Sequence, residues 1–182
     1  MRSEPPRRRT PRLALAVLAC GLAGCATPRV GPPLVAQTAL VRDELAFWQS
    51  LEGVRRVTAD DALHALFLLA DGRADHASFA ARRAKAIERG WLAADDARAA
   101  DDAASLGLLA VAVCRFLPVE RGVTGLLFPG QPRGCVRDLA FHGLLPRDRP
   151  ADSPFDGLEL IEMAGRIEDW RTAHAGLPGA GS

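Results

Sequence analysis

Between Ala103 and Cys114 the chain carries one polar side chain, Ser105. A helix built from such a run is apolar on nearly every side, so the rest of the chain has to cover it. Twelve residues are too few to cross a bilayer, which takes about 20. The run is therefore read as the covered helix of a domain. Composition points the same way: Ala, Leu, Arg and Asp are abundant, Tyr and Asn are absent, and Lys85 is the only lysine. Such a mixture favours helix over sheet.

Other helices are legible from apolar spacing and from start and stop residues. Segment 38–51 places Val41, Leu45 and Trp48 at helical intervals, with Leu40, Phe47 and Leu51 beside them. Thr58-Ala59-Asp60-Asp61 opens a second helix with Leu63, Leu66, Phe67 and Leu69 inward and Gly72 as its stop. A third helix covers about 76–89, with Ala80, Ala84, Ile87 and Trp91 inward and Arg82, Arg83, Lys85 and Glu88 outward. Asp101-Asp102 is the expected opening of the covered helix, and Pro118 its end. The glycines and prolines of 118–132 mark a loop, with an extended piece at Leu126-Leu127-Phe128. A helix over 133–142 follows, with Val136 and Leu139 inward, and Ser153-Pro154-Phe155-Asp156 reads as a last start with Ser153 as N-cap. The expected fold is all-α, a small bundle or array of about six helices.

At an offset of 53, Gly90-Trp91-Leu92 aligns with Gly143-Leu144-Leu145 and Cys114 with Ile167. Each stretch is a helix, a Gly stop, a polar loop and an apolar helix. The sequence thus allows two to three degenerate helical-pair repeats, with 38–70 as a shortened first copy; an ordinary bundle with Gly stops is the other reading. In layout, residues 76–170 resemble the S-layer homology repeat, which implies attachment to cell-wall polysaccharide. That family's Thr-Arg-Ala-Glu ligand motif is replaced here by Asp101-Asp102-Ala103-Ala104 and Ser153-Pro154-Phe155-Asp156, so no binding residue is carried over.

The first 25 residues have their own order. Arg2, Arg7, Arg8, Arg9 and Arg12 precede the apolar run Leu13–Leu22, and Leu22-Ala23-Gly24-Cys25 closes it. Basic, then apolar, then small is the pattern of a secretory signal. Its ending resembles the bacterial lipoprotein signal. The resemblance implies a signal peptide over 1–24, cleavage after Gly24, and lipidation of Cys25 with attachment to a membrane through that anchor. Cys20 is a rival acceptor, but it would leave only four apolar residues from Leu13. Ala26 in place of Asp implies sorting to an outer membrane where the cell has one.

Residues 25–37, with Pro28, Pro32 and Pro33, are expected to be a flexible tether, 38–173 an α-helical domain, and 174–182 a loose tail. The chain from Cys25 on carries 18 basic and 21 acidic residues, a formal net charge of −3, which excludes a basic nucleic-acid surface. Two further cysteines, Cys114 and Cys135, are candidates for a disulfide in an exported chain; Cys114 is equally readable as a small buried residue.

No cofactor, metal or catalytic residue is expected. His64, His76, His142 and His174 make no close metal spacing, and no GxSxG, P-loop or GxGxxG occurs. The pairs Asp60-Asp61 and Asp101-Asp102 are read as helix-start acids, and Trp48, Trp91 and Trp170 as packing residues. The function this supports is a non-catalytic envelope module. Its expected partners are an envelope protein or a cell-wall glycan.

Overall fold

A computed structural model describes residues 28–37, 43–127 and 129–175. Seven helices and no strand are found among them. They are α1 (Glu44–Leu51), α2 (Ala59–Asp71), α3 (Phe79–Glu88), α4 (Leu106–Phe116), α5 (Val123–Leu127), α6 (Pro132–Phe141) and α7 (Gly157–Ala173). A single 3-10 turn, Leu34–Ala36, precedes α1. The fold is all-α, as the composition implied.

In chain order six of the helices fall into three successive pairs, α1–α2, α3–α4 and α6–α7, with α5 inside the loop before the third, and the packing runs between these pairs rather than within them. Each first helix packs on the second helix of another pair: α3 on α2, α6 on α4, and α1 on α7. The last of these contacts joins the two ends of the domain and closes the ring. At the centre α2 and α4 pack together, and both are buried along almost their whole length.

The ring follows from what helix N-termini need. The first amides of a helix have no partner inside it. In α2 the Ala59 amide donates to the Asp102 carbonyl at 2.8 Å, and the Asp61 amide to the Thr58 side chain at 3.1 Å. In α4 Leu106 donates to the Ser153 carbonyl at 2.9 Å, and Leu108 to Ser105 at 3.4 Å. In α7 Gly157 donates to the Val54 carbonyl at 2.8 Å, and Glu159 to Asp156 at 2.8 Å. Each long helix therefore receives one carbonyl from the stretch leading into another long helix, in cyclic order. The residues just before the three N-caps, Val57, Ala104 and Phe155, meet in the core: Ala104 donates to Val57 at 2.9 Å and Val57 to Phe155 at 3.0 Å.

The 53-residue offset is visible in α3 and α6, whose bounds differ by that number at both ends. Their stops match bond for bond. Gly90 (φ 68°) and Gly143 (φ 75°) take the left-handed conformation in which glycine has no Cβ to clash. Trp91 then donates to the Ala86 carbonyl at 2.8 Å, and Leu144 to the Leu139 carbonyl at 2.9 Å.

Several expectations are corrected. Asp101-Asp102 does not open α4: these residues are drawn into short pairings with Arg29 and toward the start of α2, and Ser105 is the N-cap. Asp156, not Ser153, caps α7, because Glu159 completes a capping box there. The stretch Val123–Leu127 is helical rather than extended; Phe128 lies outside the described residues. On α3 the inward stripe is Phe79, Arg82 and Ala86, while Ala80 and Ala84 face solvent. On α1 Leu45 is 66% exposed, and Phe47 and Leu51 carry the packing; Leu40 and Val41 lie outside the described residues.

Residues 28–37 also differ from the expected tether. Ala103 donates to the Pro28 carbonyl and Val30 to the Asp101 carbonyl, both at 3.0 Å, so the segment runs along the lead-in to α4 before its 3-10 turn meets α2. Prolines spaced along a strand-like segment leave the other backbone groups free to pair. The tail from Gly176 lies outside the described residues.

Candidate functional site

The densest polar cluster inside the molecule sits at the start of α2. Thr58 as N-cap puts two acids, Asp60 and Asp61, in the first turn, where the helix dipole favours negative charge. The fold gives each a different task. Asp61 accepts from the amide of Leu34 at 3.1 Å, the amide of Val35 at 3.0 Å and the hydroxyl of Thr58 at 2.8 Å. It is the clasp that fastens the N-terminal segment to α2. Burial pushes the Asp61 carboxyl above its ordinary range, against the pull of the bonds from Val35, Thr58 and Leu34.

Asp60 reaches the other way. Its carboxylate lies 2.6 Å from Nε of Arg82, a side chain in the middle of α3 that is only 2% exposed. The same guanidinium donates to the His76 carbonyl at 2.6 Å. A buried ion pair of this kind contributes little net stability, but it punishes any arrangement that leaves one charge unpaired. It fixes how α3 sits on α2.

His64 lies one turn further along α2, 1% exposed, with its ring edge-on to Phe47 at 4.7 Å. Neither ring nitrogen has a hydrogen-bond partner among the described residues. Burial, and after it the Arg82 charge, lowers its pKa to about 4, so the imidazole is neutral at pH 7. The other histidines are dispersed: His76 packs on Phe67 at 4.4 Å, His142 contacts the Glu120 carbonyl at 3.0 Å, and His174 stacks on Trp170 at 4.1 Å.

Cys114 on α4 and Cys135 on α6 are brought together, both buried and both free thiols. The Cys114 sulfur is 4.0 Å from the Cys135 carbonyl oxygen. The Cys114 thiol donates toward that carbonyl, and its interaction with the Cys135 side chain, followed by burial, holds Cys114 well above the ordinary thiol range. This environment suppresses a nucleophilic thiolate at Cys114.

Sequence reasoning missed the two residues on which the cluster turns. Arg82 lies among Arg83, Lys85 and Glu88, so its neighbours read as a solvated face. For Asp61 a signal existed: a single acid satisfies the helix dipole, and two after a Thr N-cap leave one to spare. The aspartates of the α3–α4 loop bind locally, Asp96 to Arg98 at 2.8 Å and Asp102 to the Ala99 amide at 2.7 Å. Trp91 is 3% exposed beneath Arg89, and Trp48 and Trp170 are partly covered by the core. Among the described residues no group of three or more His, Cys, Asp or Glu is placed to hold a metal. Leu22, Gly24 and Cys25 lie outside the described residues. No described helix is long and apolar enough to cross a membrane. Compared with known proteins, the chain matches no family model, no curated protein and no solved structure.

Proposed function

We propose that this chain is a bacterial envelope lipoprotein, cleaved after Gly24 and acylated on Cys25, whose helical domain is a non-catalytic binding or assembly module. The residues Leu22-Ala23-Gly24-Cys25 behind a basic and then apolar stretch carry the reading. The fold supports it in one respect. Pro28, three residues after Cys25, is hydrogen-bonded into the domain through its carbonyl, so an anchor on Cys25 would hold the domain on a short lead. Several acyl chains anchor firmly, at about 0.8 kcal/mol per buried CH2. Ala26 directs the protein to an outer membrane in a cell that has one.

The interior polar groups favour a module over a catalyst. Asp60, Asp61 and Arg82 are committed to holding elements together. The partner under this reading is an envelope protein. A second reading, a wall-polysaccharide module of the S-layer homology kind, draws on the helix order and on the 53-residue offset between α3 and α6.

Intact-mass analysis of the protein from its native host tests the anchor: the expected species starts at Cys25 and carries acyl chains, and an unmodified chain starting at Met1 refutes it. Pull-down of the lipidated protein from native envelopes and pelleting with purified wall polymer separate the two readings. Turnover of a wall-derived substrate by the purified protein refutes both.

A further inference from the structure

Three depressions on the surface join into one groove that begins where the chain enters the domain. The first, about 670 Å3, is bordered by Pro28 and Arg29. It shares Asp96, Arg98 and Asp152 with a second of about 800 Å3, which shares Arg133 and Asp152 with a third of about 680 Å3. Asp152 borders all three. Along its length the groove is lined by seven arginines against four aspartates, in a protein whose chain from Cys25 on has a net negative charge.

Four of those arginines, Arg115, Arg133, Arg137 and Arg147, make no ion pair with any described residue, and all four are exposed. Unpaired guanidinium groups in a row are a ready match for phosphate oxygens. At the far end stands Phe141, 79% exposed. Basic side chains with an exposed aromatic beside them are the composition of a surface lying in a membrane interface. The first amides of α2 and α4 do not compete for anions, because carbonyls and caps already occupy them.

The clasp supplies the geometry. Asp61 and the pairing of Pro28 with Ala103 fix the N-terminal segment to the domain. The covalent path from Cys25 to Pro28 is three residues, at most about 11 Å. That is close to the Debye length of ~8 Å at physiological salt, so charge at the groove entrance is not fully screened from the bilayer surface. We propose that the domain lies directly on the membrane holding its anchor, with this arginine-lined groove against the anionic phosphate headgroups. The inference rests on the lipid anchor proposed above and adds the orientation of the domain and the lipid class it reads.

The test uses the full acylated protein in three settings: detergent micelles, vesicles of phosphatidylcholine alone, and vesicles of phosphatidylcholine with phosphatidylglycerol. Phenylglyoxal modification is read at each arginine by mass spectrometry. Arg133, Arg137 and Arg147 should react about fivefold more slowly on the phosphatidylglycerol vesicles than in micelles, as expected of a basic side chain at an anionic surface. Arg73 and Arg166, outside the groove, should not change. Equal reactivity of groove and control arginines on an acylated protein overturns the inference and leaves the anchor standing. Slowing of the same size in micelles with inorganic phosphate also overturns it, since it assigns the groove to a soluble anion. An intact mass without acyl chains overturns the anchor and the orientation together.

Discussion

Replacing Asp61 by Ala removes one side chain and unfastens a whole segment. Three groups donate to that carboxylate: the amides of Leu34 and Val35 and the Thr58 hydroxyl. The hydroxyl turns to another acceptor, and the partly exposed Leu34 amide reaches water, but Val35 is buried. A buried amide without a partner costs about 1–3 kcal/mol, and a lost bond to a charged acceptor about 1.5–3 kcal/mol. Part of this is offset, because the variant no longer buries a carboxylate whose pKa burial has raised. The expected loss is about 3 kcal/mol for Asp61→Ala, and about 1–2 kcal/mol for Asp61→Asn, whose one carbonyl oxygen still accepts from Val35. In a domain of this size 1 kcal/mol moves Tm by roughly 2–4 °C, so the Ala variant should melt about 6–12 °C lower. Urea unfolding of the full chain reads the global loss. Amide exchange reads the local one: Leu34 and Val35 should exchange far faster than the core of α4. If Asp61→Ala stays within about 1 kcal/mol of the parent, or Val35 keeps its protection, the clasp is not what holds residues 28–37.

Three other perturbations probe separate links. A Cβ at Gly157 would fall 1.9 Å from the Leu51 carbonyl oxygen, while one at Gly165 meets nothing within 4 Å. Gly157→Ala should cost about 3 kcal/mol or more and Gly165→Ala should stabilise by up to about 1 kcal/mol, and equal effects in thermal melts would refute the close crossing of α1 and α7. His64, lowered to about 4 by burial and then by Arg82, returns to its ordinary 6.5 on unfolding. The unfolded chain then binds the extra proton, so stability falls as pH drops from 6.5 to about 4, by up to ~3 kcal/mol, and the raised Asp61 acts in the opposite sense. His64→Phe should flatten that slope, and an unchanged slope argues against a neutral buried imidazole. In an oxidising compartment Cys114 and Cys135 should pass two protons and two electrons to a disulfide oxidant and close a bond worth about 3 kcal/mol. Alkylation of both cysteines in native-host protein before any reductant is added would refute that.

How legible the fold was depended on whether one local signal stood alone. Thr58, Gly72, Gly90 and Gly143 act where they were read, because no rival cap lies nearby. At α4 and α7 two candidate caps sit three or four residues apart, and pairing between distant lead-in segments decides between them. Ala103 is held by the Pro28 carbonyl, which keeps Asp102 and Ala103 in bridge pairings and passes the helix start to Ser105. The face of α3 misleads for a different reason. Alanine spacing implies one stripe, but the buried ion pair of Arg82 with Asp60 turns the helix to another, and hydrophobic periodicity is blind to charge that is buried in a pair. The Asp61 clasp was out of reach of spacing rules altogether, since it joins a proline-rich segment to a helix 26 residues away.

The same end of the molecule carries both the ring's closing contacts and the entry of the chain. The carbonyls of Val54, Asp102 and Ser153 accept from the first amides of α7, α2 and α4, and Pro28 and Val30 are hydrogen-bonded beside Asp101 and Ala103. The N-terminal ends of the three long helices are therefore packed into one layer of backbone hydrogen bonds. Such a layer commits most of these amides to the fold, so a ligand meets chiefly the side chains on the flank, where the arginines of the groove stand. A pull on residue 28, such as the proposed anchor would exert, is borne by the Ala103 amide, which belongs to the same lead-in that feeds a carbonyl to α2. An anchor attached to a loose tail would leave the domain free to turn away from the bilayer. If Cys25 carries the proposed anchor, fastening at Pro28 limits how far the domain can turn from the lipid, and the arginine reactivities read that orientation.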